Sequence, residues 1–468
     1  MLRYVLKRIL IFIPTLVIIS LVSFGLSKLA PGDPIDRNDD SRLDIRDREL
    51  VYHETAHFWG LDKPAFYFSF SSQAYPDTLY KIVLKERRKT LQNLVAQYGN
   101  WSEIENYYHH IQSLELFLFS LSNTNQFKEL SIVRSNVREF YLQYQDHRIH
   151  SIFKKLEHQV AQDSLLASVS EGQFTQLENA YMNIKENATP NKLLIPDIKW
   201  YGFDNQYHHW FSNFLTGNFG RSYHDSRPVA NKLKDAIFWT LIMNSTAILI
   251  AYLLSIPLGV FSAVSKDTIR DRIITITLFI LYSLPTFWIA TMLMIFLTLP
   301  QYGIELFPTM GLGNVAKDAS FWEKFTTRAE HLVLPIFCLT YTSLAFISRQ
   351  MRGSMLDVLQ QDFVRTARAK GLPENKVIWK HAFRNSLFPI ITIFAAVFPA
   401  AIAGSVVIEV IFNIPGMGKL TIDAISTRDY PVVYTVLMLS AVLTMIGILV
   451  ADIMYAILDP RVSYSNKK

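Results

Sequence analysis

Only one cysteine, Cys338, occurs in 468 residues, which excludes an intramolecular disulfide and a two-cysteine metal site. Charge is also sparse: 18% of residues are charged against 50% hydrophobic, and the mean hydropathy is +0.17. That balance is too apolar for an ordinary soluble chain of this length and too charged for a bare bundle of membrane spans, so both kinds of region must coexist. A phosphate-cradling loop of the G-x-x-x-x-G-K-[ST] type, whose backbone N–H groups would point at a nucleotide's phosphates, is missing too. The nearest string, Gly416-Met417-Gly418-Lys419-Leu420, misplaces its earlier glycine and puts Leu420 where a hydroxyl would ligate magnesium, so it reads as a turn. The chain is therefore not expected to be an enzyme or to cleave ATP by itself. Its net charge of +6 points, in a membrane chain, to cytoplasmic anchoring loops rather than to nucleic acid.

Long apolar runs dominate what is present. Ile9 to Leu26 is almost wholly apolar and follows Arg3, Lys7 and Arg8. Its length favours a retained helix over a signal peptide, whose apolar core is usually about 7–15 residues, and a cut after Ala30 would leave Pro31 at the new terminus. Further runs lie at Ile237 to Val264, Ile273 to Leu299, Leu332 to Ile347, Leu387 to Ile411 and Val432 to Leu458. Most approach or exceed the roughly 20 residues that cross a ~30 Å hydrocarbon core. Leu332 to Ile347 is the shortest and contains Pro335 and Thr340. Backbone polar groups in a bilayer must be satisfied internally, so the expectation is an all-α polytopic membrane protein of six transmembrane helices.

Basic residues set the orientation. An N-terminus inside places Arg3, Lys7, Arg8, Lys266, Arg270, Arg272, the loop 349–386 and the tail bases Arg461, Lys467 and Lys468 in the cytoplasm. The short outer loops keep fewer: Lys317, Lys324 and Arg328 in one, Lys419 and Arg428 in the other. Both termini are thus expected to be cytoplasmic. The domain reading is a first transmembrane helix at 1–30, extracytoplasmic loop at 31–69 and 201–235, a helical extracytoplasmic insert at 70–200, and a permease core of five helices at 236–468.

Within the insert, 85–186 has few glycines or prolines and shows helical spacing, as in Leu114, Leu118 and Leu121 or Phe140, Tyr141 and Tyr144. Four or five amphipathic helices are predicted, packed as a small bundle, with a partner-docking surface as the less favoured reading. Most of the 12 histidines lie between the first and second spans. His53-Glu54-Thr55-Ala56-His57 matches the bare H-E-x-x-H pattern, in which two histidines one helical turn apart hold a metal. Gly60 and Pro64 follow at once, leaving little helix for two ligands, and no third ligand stands out. No metal site is expected. Among ionisable residues in the spans, Asp452 and Glu409 lie close to span ends and read as structural rather than substrate ligands.

The loop between the fourth and fifth spans reads Gln361-Asp362-Phe363-Val364-Arg365-Thr366-Ala367-Arg368-Ala369-Lys370-Gly371-Leu372, then His381-Ala382-Phe383-Arg384-Asn385-Ser386-Leu387-Phe388-Pro389. Its composition predicts a helix, a turn with Gly371 at positive φ, and a second helix starting near Pro373. A basic element of this kind could simply anchor on lipid headgroups. The segment resembles the coupling loop of ABC-importer permeases, whose pattern is E-A-A-x-x-x-G followed by a later proline. Arg365-Thr366-Ala367 takes the E-A-A place with Gly371 in register, a form similar to the dipeptide/oligopeptide branch, where R-T-A-R-A-K-G-L and H-A-x-R-N-x-x-x-P recur.

Other segments resemble the B-type subunit of that branch: Leu6-Lys7-Arg8 through Pro14, Ala30-Pro31-Gly32-Asp33-Pro34, Gly60-Leu61-Asp62-Lys63-Pro64, Gly217-Asn218-Phe219-Gly220-Arg221-Ser222, Glu409, Phe412, Pro415-Gly416-Met417-Gly418, Arg428-Asp429-Tyr430-Pro431 and Leu458-Asp459-Pro460-Arg461. Residues from about 70 to 200 have no counterpart in typical members. The resemblance implies a bacterial inner-membrane permease for di- or oligopeptides working by alternating access. It also implies a second homologous permease subunit, two cytosolic ATP-binding subunits and an extracytoplasmic substrate-binding protein as partners, besides membrane lipid, with ATP bound only by partners. Arg365, Thr366, Ala367, Arg368, Ala369, Lys370, Gly371 and Leu372 are its implied ATPase-coupling residues; Gly371 and Ala367 would let the loop pack closely, while Arg365, Arg368 and Lys370 would pair with acidic groups on an ATPase or face phospholipid. The substrate-binding residues stay unassigned, and so does the substrate, since nickel chelates and some sugars pass through related permeases. A secondary transporter would show internal repeats and interrupted spans with charges at mid-depth, neither of which is evident. A membrane-anchored scaffold would need only one or two spans.

Overall fold

The computed structural model describes residues 2–29, 35, 45–121, 130–162, 164–316 and 318–458. The Ala30 to Pro34 motif, Lys317, and Asp459, Pro460, Arg461, Lys467 and Lys468 lie outside the described residues. The chain divides into two compact units, Met1–Pro34 with Gly217–Lys468, and Ile35–Thr216.

Helix α1 (Leu2–Leu29) opens the first unit and runs through Pro14 without a break. The second unit holds α2 (Ile45–Phe58), strand β1 (Phe68–Ser72), helices α3 (Lys85–Tyr98), α4 (Trp101–Ser120), α5 (Leu130–Glu139), α6 (Asp146–Ala161) and α7 (Ser164–Glu186), strand β2 (Pro196–Trp200) and α8 (Gln206–Leu215). Five helices thus fill 85–186, and their apolar positions recur every three or four residues, as in Ile104, Tyr107, Ile111, Leu114 and Leu118 of α4, all buried in one core. Phe140 and Tyr141 join that core from a short 3-10 turn, while Tyr144 is exposed. Glu115 is buried among these side chains. Its carboxylate accepts from Arg138 Nε (2.6 Å) and Tyr141 Oη (2.9 Å), the pairing a buried charge needs.

The all-α expectation holds, with one short strand pair beside the helices. The two ends of the insert stretch pair as a short antiparallel ribbon, with Phe68 opposite Trp200 and Phe70 opposite Ile198. Aromatic and β-branched residues alternating with Ser and Lys suit a pleated pair better than a helix.

Helices α9 (Val229–Val264), α10 (Ile269–Ser283), α11 (Thr286–Thr298), α12 (Phe321–Leu359), α13 (Asp362–Ala369), α14 (Glu374–Lys376), α15 (Phe383–Ser386), α16 (Phe388–Ala403), α17 (Val406–Ile411), α18 (Met417–Ser426) and α19 (Tyr430–Leu458) complete the first unit. Among the described residues four helices, α1, α9, α12 and α19, are long and apolar enough to cross a membrane, or five spans if the bent pair α10–α11 is one. The sixth apolar run, Leu387 to Ile411, is split into α16 and α17, each shorter than a span. Interrupted spans are therefore present after all. Pro285 explains the first break, where α10 and α11 meet at 91°: a proline offers no N–H and pushes the preceding residue out of the helical region. The freed carbonyl of Leu284 accepts from Tyr341 Oη at 3.2 Å. The Leu332 to Ile347 run, the shortest by sequence, lies inside the 39-residue α12, which continues through Pro335.

α9 and α12 pack closely because α9 presents Ala247, Ala251, Ser255 and Gly259, small residues four apart and buried. Such a stripe lets backbones approach where lipid provides no hydrophobic drive. Ser255 Oγ reaches the Leu344 carbonyl at 3.1 Å, and a Cβ added at Gly259 would sit 2.6 Å from Met351 Cβ and 2.7 Å from the Ser348 carbonyl. Gly259→Val is expected to destabilise the purified protein by about 1–3 kcal/mol through overpacking. A thermal midpoint in detergent equal to that of wild type would contradict this contact.

Candidate coupling surface and the charge clusters behind it

α13 presents two faces. Val364 and Ala367, three residues apart, are buried in one cluster with Met355, Val358, Val377 and Ile378. Asp362, Phe363, Arg365, Thr366, Arg368, Ala369 and Lys370 are exposed, and Leu372 is half-buried. The helix ends in a Schellman arrangement: Gly371 N donates to the Arg368 carbonyl (2.9 Å) and Leu372 N to the Ala367 carbonyl (3.4 Å), with Gly371 at φ +76°. Space beside Gly371 is open. Within this chain the position therefore requires positive φ rather than close packing, a requirement that Ala367 alone carries. Pro373 caps the next helical stretch, which is not uniform: α14 passes into a widened π turn over Val377–Ala382 before α15.

Arg368 grips Glu374 across the turn, with Nη2 to Oε1 at 2.6 Å and Nε at 3.2 Å from both oxygens. The guanidinium holds the Glu374 carboxyl below its usual range. Of the three bases considered for an outside partner, Arg368 is therefore satisfied within the chain, and Arg365 only weakly, by Asp362 at 3.5 Å. Ser354 Oγ donates to the Ser386 carbonyl (2.8 Å) and Ser386 Oγ to Met355 Sδ (2.9 Å), so the segment after α13 is fastened to α12.

No pattern in the chain marks a further cluster, centred on Asp271. Asp271, in the first turn of α10, takes a fork from Arg352 of α12 (Nε to Oδ1 2.9 Å, Nη2 to Oδ2 2.7 Å), and also Ser262 Oγ of α9 at 2.5 Å and Asp267 N at 3.2 Å. One carboxylate thus joins three helices. The nearby bases Lys266, Arg270 and Arg272 drew attention as orientation signals, whereas an acid nine residues from Ser262 and 81 from Arg352 has no periodicity to mark it.

A second carboxylate sits at the far end of α9. Glu409 of α17 is fully buried and accepts from Thr240 Oγ1 (2.9 Å), Lys419 N (3.0 Å) and Ser405 N (3.3 Å). Thr240 Oγ1 in turn accepts from Met417 N at 2.8 Å. The string Gly416 to Leu420 is thus not a plain turn but the start of α18, whose free N–H groups meet a side-chain anion as helix N-termini favour. Gly404, Gly416 and Gly418 wall this carboxylate, and a Cβ at Gly416 would fall 2.5 Å from its Cδ. Thr240 and Ser262 are 22 residues apart on one helix, or ~33 Å, so the two clusters bracket a length close to a ~30 Å hydrocarbon core.

Two further pairings bring distant motifs together. Asp429 accepts from Ser222 Oγ and from Tyr223 N (2.9 Å), with Lys232 Nζ at 3.7 Å, which joins the Gly217 to Ser222 segment to Arg428 to Pro431. Asp452 pairs with Arg8 at 2.9 Å, linking α19 to α1. His53 and His57 both lie on α2, so helix length does not disqualify them, contrary to expectation. His57 Nδ1 instead contacts Asp62 Oδ2 at 2.6 Å, and burial pushes the His53 pKa down. Among the described residues no group of three or more His, Cys, Asp or Glu could hold a metal ion.

Residues 255–464 match the family model described as binding-protein-dependent transport system inner membrane component. An oligopeptide transport system permease protein of Bacillus subtilis is 41% identical over 57% of this chain and 84% of its own length. A probable peptide ABC transporter permease protein of Sinorhizobium fredii is 34% identical over 55% and 80%. A dipeptide transport system permease protein of Lactococcus lactis is 33% identical over 56% and 82%. Among solved structures, an inward-facing methionine ABC transporter matches with 17% identity and a TM-score of 0.39, covering 50% of this chain and 99% of that one, too low a score to bear on the fold.

Proposed function

Because the chain belongs to the family of binding-protein-dependent transport system inner membrane components and is integral to that membrane, we propose that it is a channel-forming subunit of an ATP-driven importer of di- or oligopeptides. The observation that carries this is the 41% identity to an oligopeptide permease over 84% of that relative's length. Both termini face the cytoplasm in this reading, and a second homologous permease subunit completes the path. Two cytosolic ATP-binding subunits bind and hydrolyse the nucleotide, for which this chain has no phosphate loop, and an extracytoplasmic binding protein delivers substrate. Residues 70–200 are an extracytoplasmic module.

The exposed face of α13, with Arg365, Thr366 and Lys370, sits in a groove on one ATP-binding subunit. Closure of the paired ATPases moves that helix. Its buried face, Val364 and Ala367, and the Ser354–Ser386 bond pass the movement to α12 and α16, which tilts the path between outward- and inward-open forms.

Affinity purification of the tagged chain from its host in mild detergent tests the reading. Wild type is expected to bring down a second permease and the ATP-binding subunits. Gly371→Val, which forces a β-branched residue to positive φ at a cost of about 1–2 kcal/mol, is expected to lose the ATPases, and so is the exposed pair Arg365→Glu with Lys370→Glu. A wild-type chain that purifies alone and intact would sink the importer reading. ATPase recovery undiminished by all these variants would move the coupling surface elsewhere.

A further inference from the structure

Beside the α9–α12 contact runs a cavity of about 760 Å³, lined by α9 from Phe238 to Leu254, by α12 from Phe321 to Leu344 and by Leu281 of α10. Its body is apolar. Two polar groups within it are occupied by the chain: Thr340 Oγ1 donates to the Ile336 carbonyl at 2.7 Å and Tyr341 Oη to that of Leu284. Charge appears only at one mouth, where Lys324 and Arg328 line it a helical turn apart. The acids of the same stretch, Glu323 and Glu330, lie on other faces of α12 and do not line it. The Arg328 guanidinium stands 5.3 Å from the Trp239 ring centre. Phe321 and Phe325 line the mouth, both exposed, as aromatic side chains gather at a headgroup level.

We propose that this groove is a binding site for an anionic phospholipid, with the phosphate held by Lys324 and Arg328 and an acyl chain laid between α9 and α12. A cationic mouth on an apolar channel complements a molecule with one anionic head and one apolar tail. The groove is long enough: Arg328 to Leu344 spans ~24 Å of helix, more than the ~15 Å that half of a ~30 Å core gives one leaflet. The mouth lies at the level of Trp239, adjacent in sequence to Thr240 of the Glu409 cluster, hence near one edge of the membrane core. A companion helix filling the groove would leave the two cations facing apolar surface, which the charge pattern disfavours.

The inference rests on membrane embedding and not on which solute is carried. Its test is phospholipid analysis by mass spectrometry of the full chain, purified with its companion subunits from membranes containing phosphatidylglycerol and phosphatidylethanolamine. Phosphatidylglycerol is expected to be retained in about molar amount, and to fall roughly tenfold or more in Lys324→Glu with Arg328→Glu, since each base near a membrane surface adds several-fold to anionic lipid affinity. Leu332→Trp, which fills the groove and leaves the charges, is expected to lose the lipid as well. Equal retention in all three proteins, or retention of the zwitterionic lipid alone, overturns the site. So does efficient disulfide cross-linking of Ile336→Cys to a cysteine placed in a companion subunit. ATP-driven uptake that persists while lipid retention is absent in wild type would reject this inference and leave the transport reading standing.

Discussion

Glu409→Ala is expected to be among the most damaging single changes in the membrane unit, with a loss of about 3–5 kcal/mol and a thermal midpoint lowered by roughly 6–20 °C. The side chain is fully buried, so its removal leaves the Thr240 hydroxyl and the N–H groups of Ser405 and Lys419 without an acceptor, and water does not replace it. Each abandoned buried donor costs about 1–3 kcal/mol. Glu409→Gln keeps the shape and one acceptor but turns an amide N–H₂ toward donors, so an intermediate loss is expected. Gly416→Ala should match Glu409→Ala in kind, because its Cβ would displace the same carboxylate. Fluorescence-detected thermal melts of the purified variants decide the matter: a Glu409→Ala midpoint within 2 °C of wild type, on the scale of roughly 2–4 °C per kcal/mol, would show that the carboxylate is not the hub of α9, α17 and α18.

Arg352→Ala is expected to cost about 2–4 kcal/mol, because it leaves Asp271 charged and nearly buried with neutral donors alone, Ser262, Thr275 and the Asp267 N–H. Asp271→Ala should cost somewhat less, since the Arg352 side chain is 29% exposed and can turn its charge toward water. Removing both partners together relieves the unpaired charge. The double variant Asp271→Ala with Arg352→Met is therefore expected to be more stable than Arg352→Ala alone, with an interaction energy of about 1–3 kcal/mol in the double-mutant cycle. Strict additivity would mean that the fork at 2.7–2.9 Å contributes nothing. Because Asp271 ties α9 and α10 to α12, just ahead of α13, the same variants are expected to weaken any link between ATPase turnover and transport. Measuring uptake per ATP hydrolysed in reconstituted vesicles checks this.

Much of the site was legible in the linear chain for local reasons. The turn at Gly371 follows from helix-forming residues before it and a glycine free to take positive φ, and it closes with bonds only three and five residues long. The helices of 85–186 were legible because apolar side chains at three- and four-residue spacing mark the face that must be buried. The first ten residues of α12, Phe321 to Glu330, were not, because their charges obscure a helix whose continuity depends on packing against α9. The broken spans were missed for a related reason: hydropathy averages over Leu284-Pro285 and over Gly404, where the backbone and not the composition changes.

The sequence by itself determined the membrane character, the position of the apolar runs, the helices of 85–186 and the turn at Gly371, because each rests on the solvent preference or dihedral range of neighbouring residues. Only the tertiary structure decided which polar residues meet: Ser222 with Asp429, Thr240 with Glu409, Asp271 with Arg352, and Arg8 with Asp452. A buried charge requires a partner but does not encode its distance along the chain, and helices that pack side by side bring together residues separated by 81 positions (Asp271 and Arg352) or by the whole span from Arg8 to Asp452 as readily as by four.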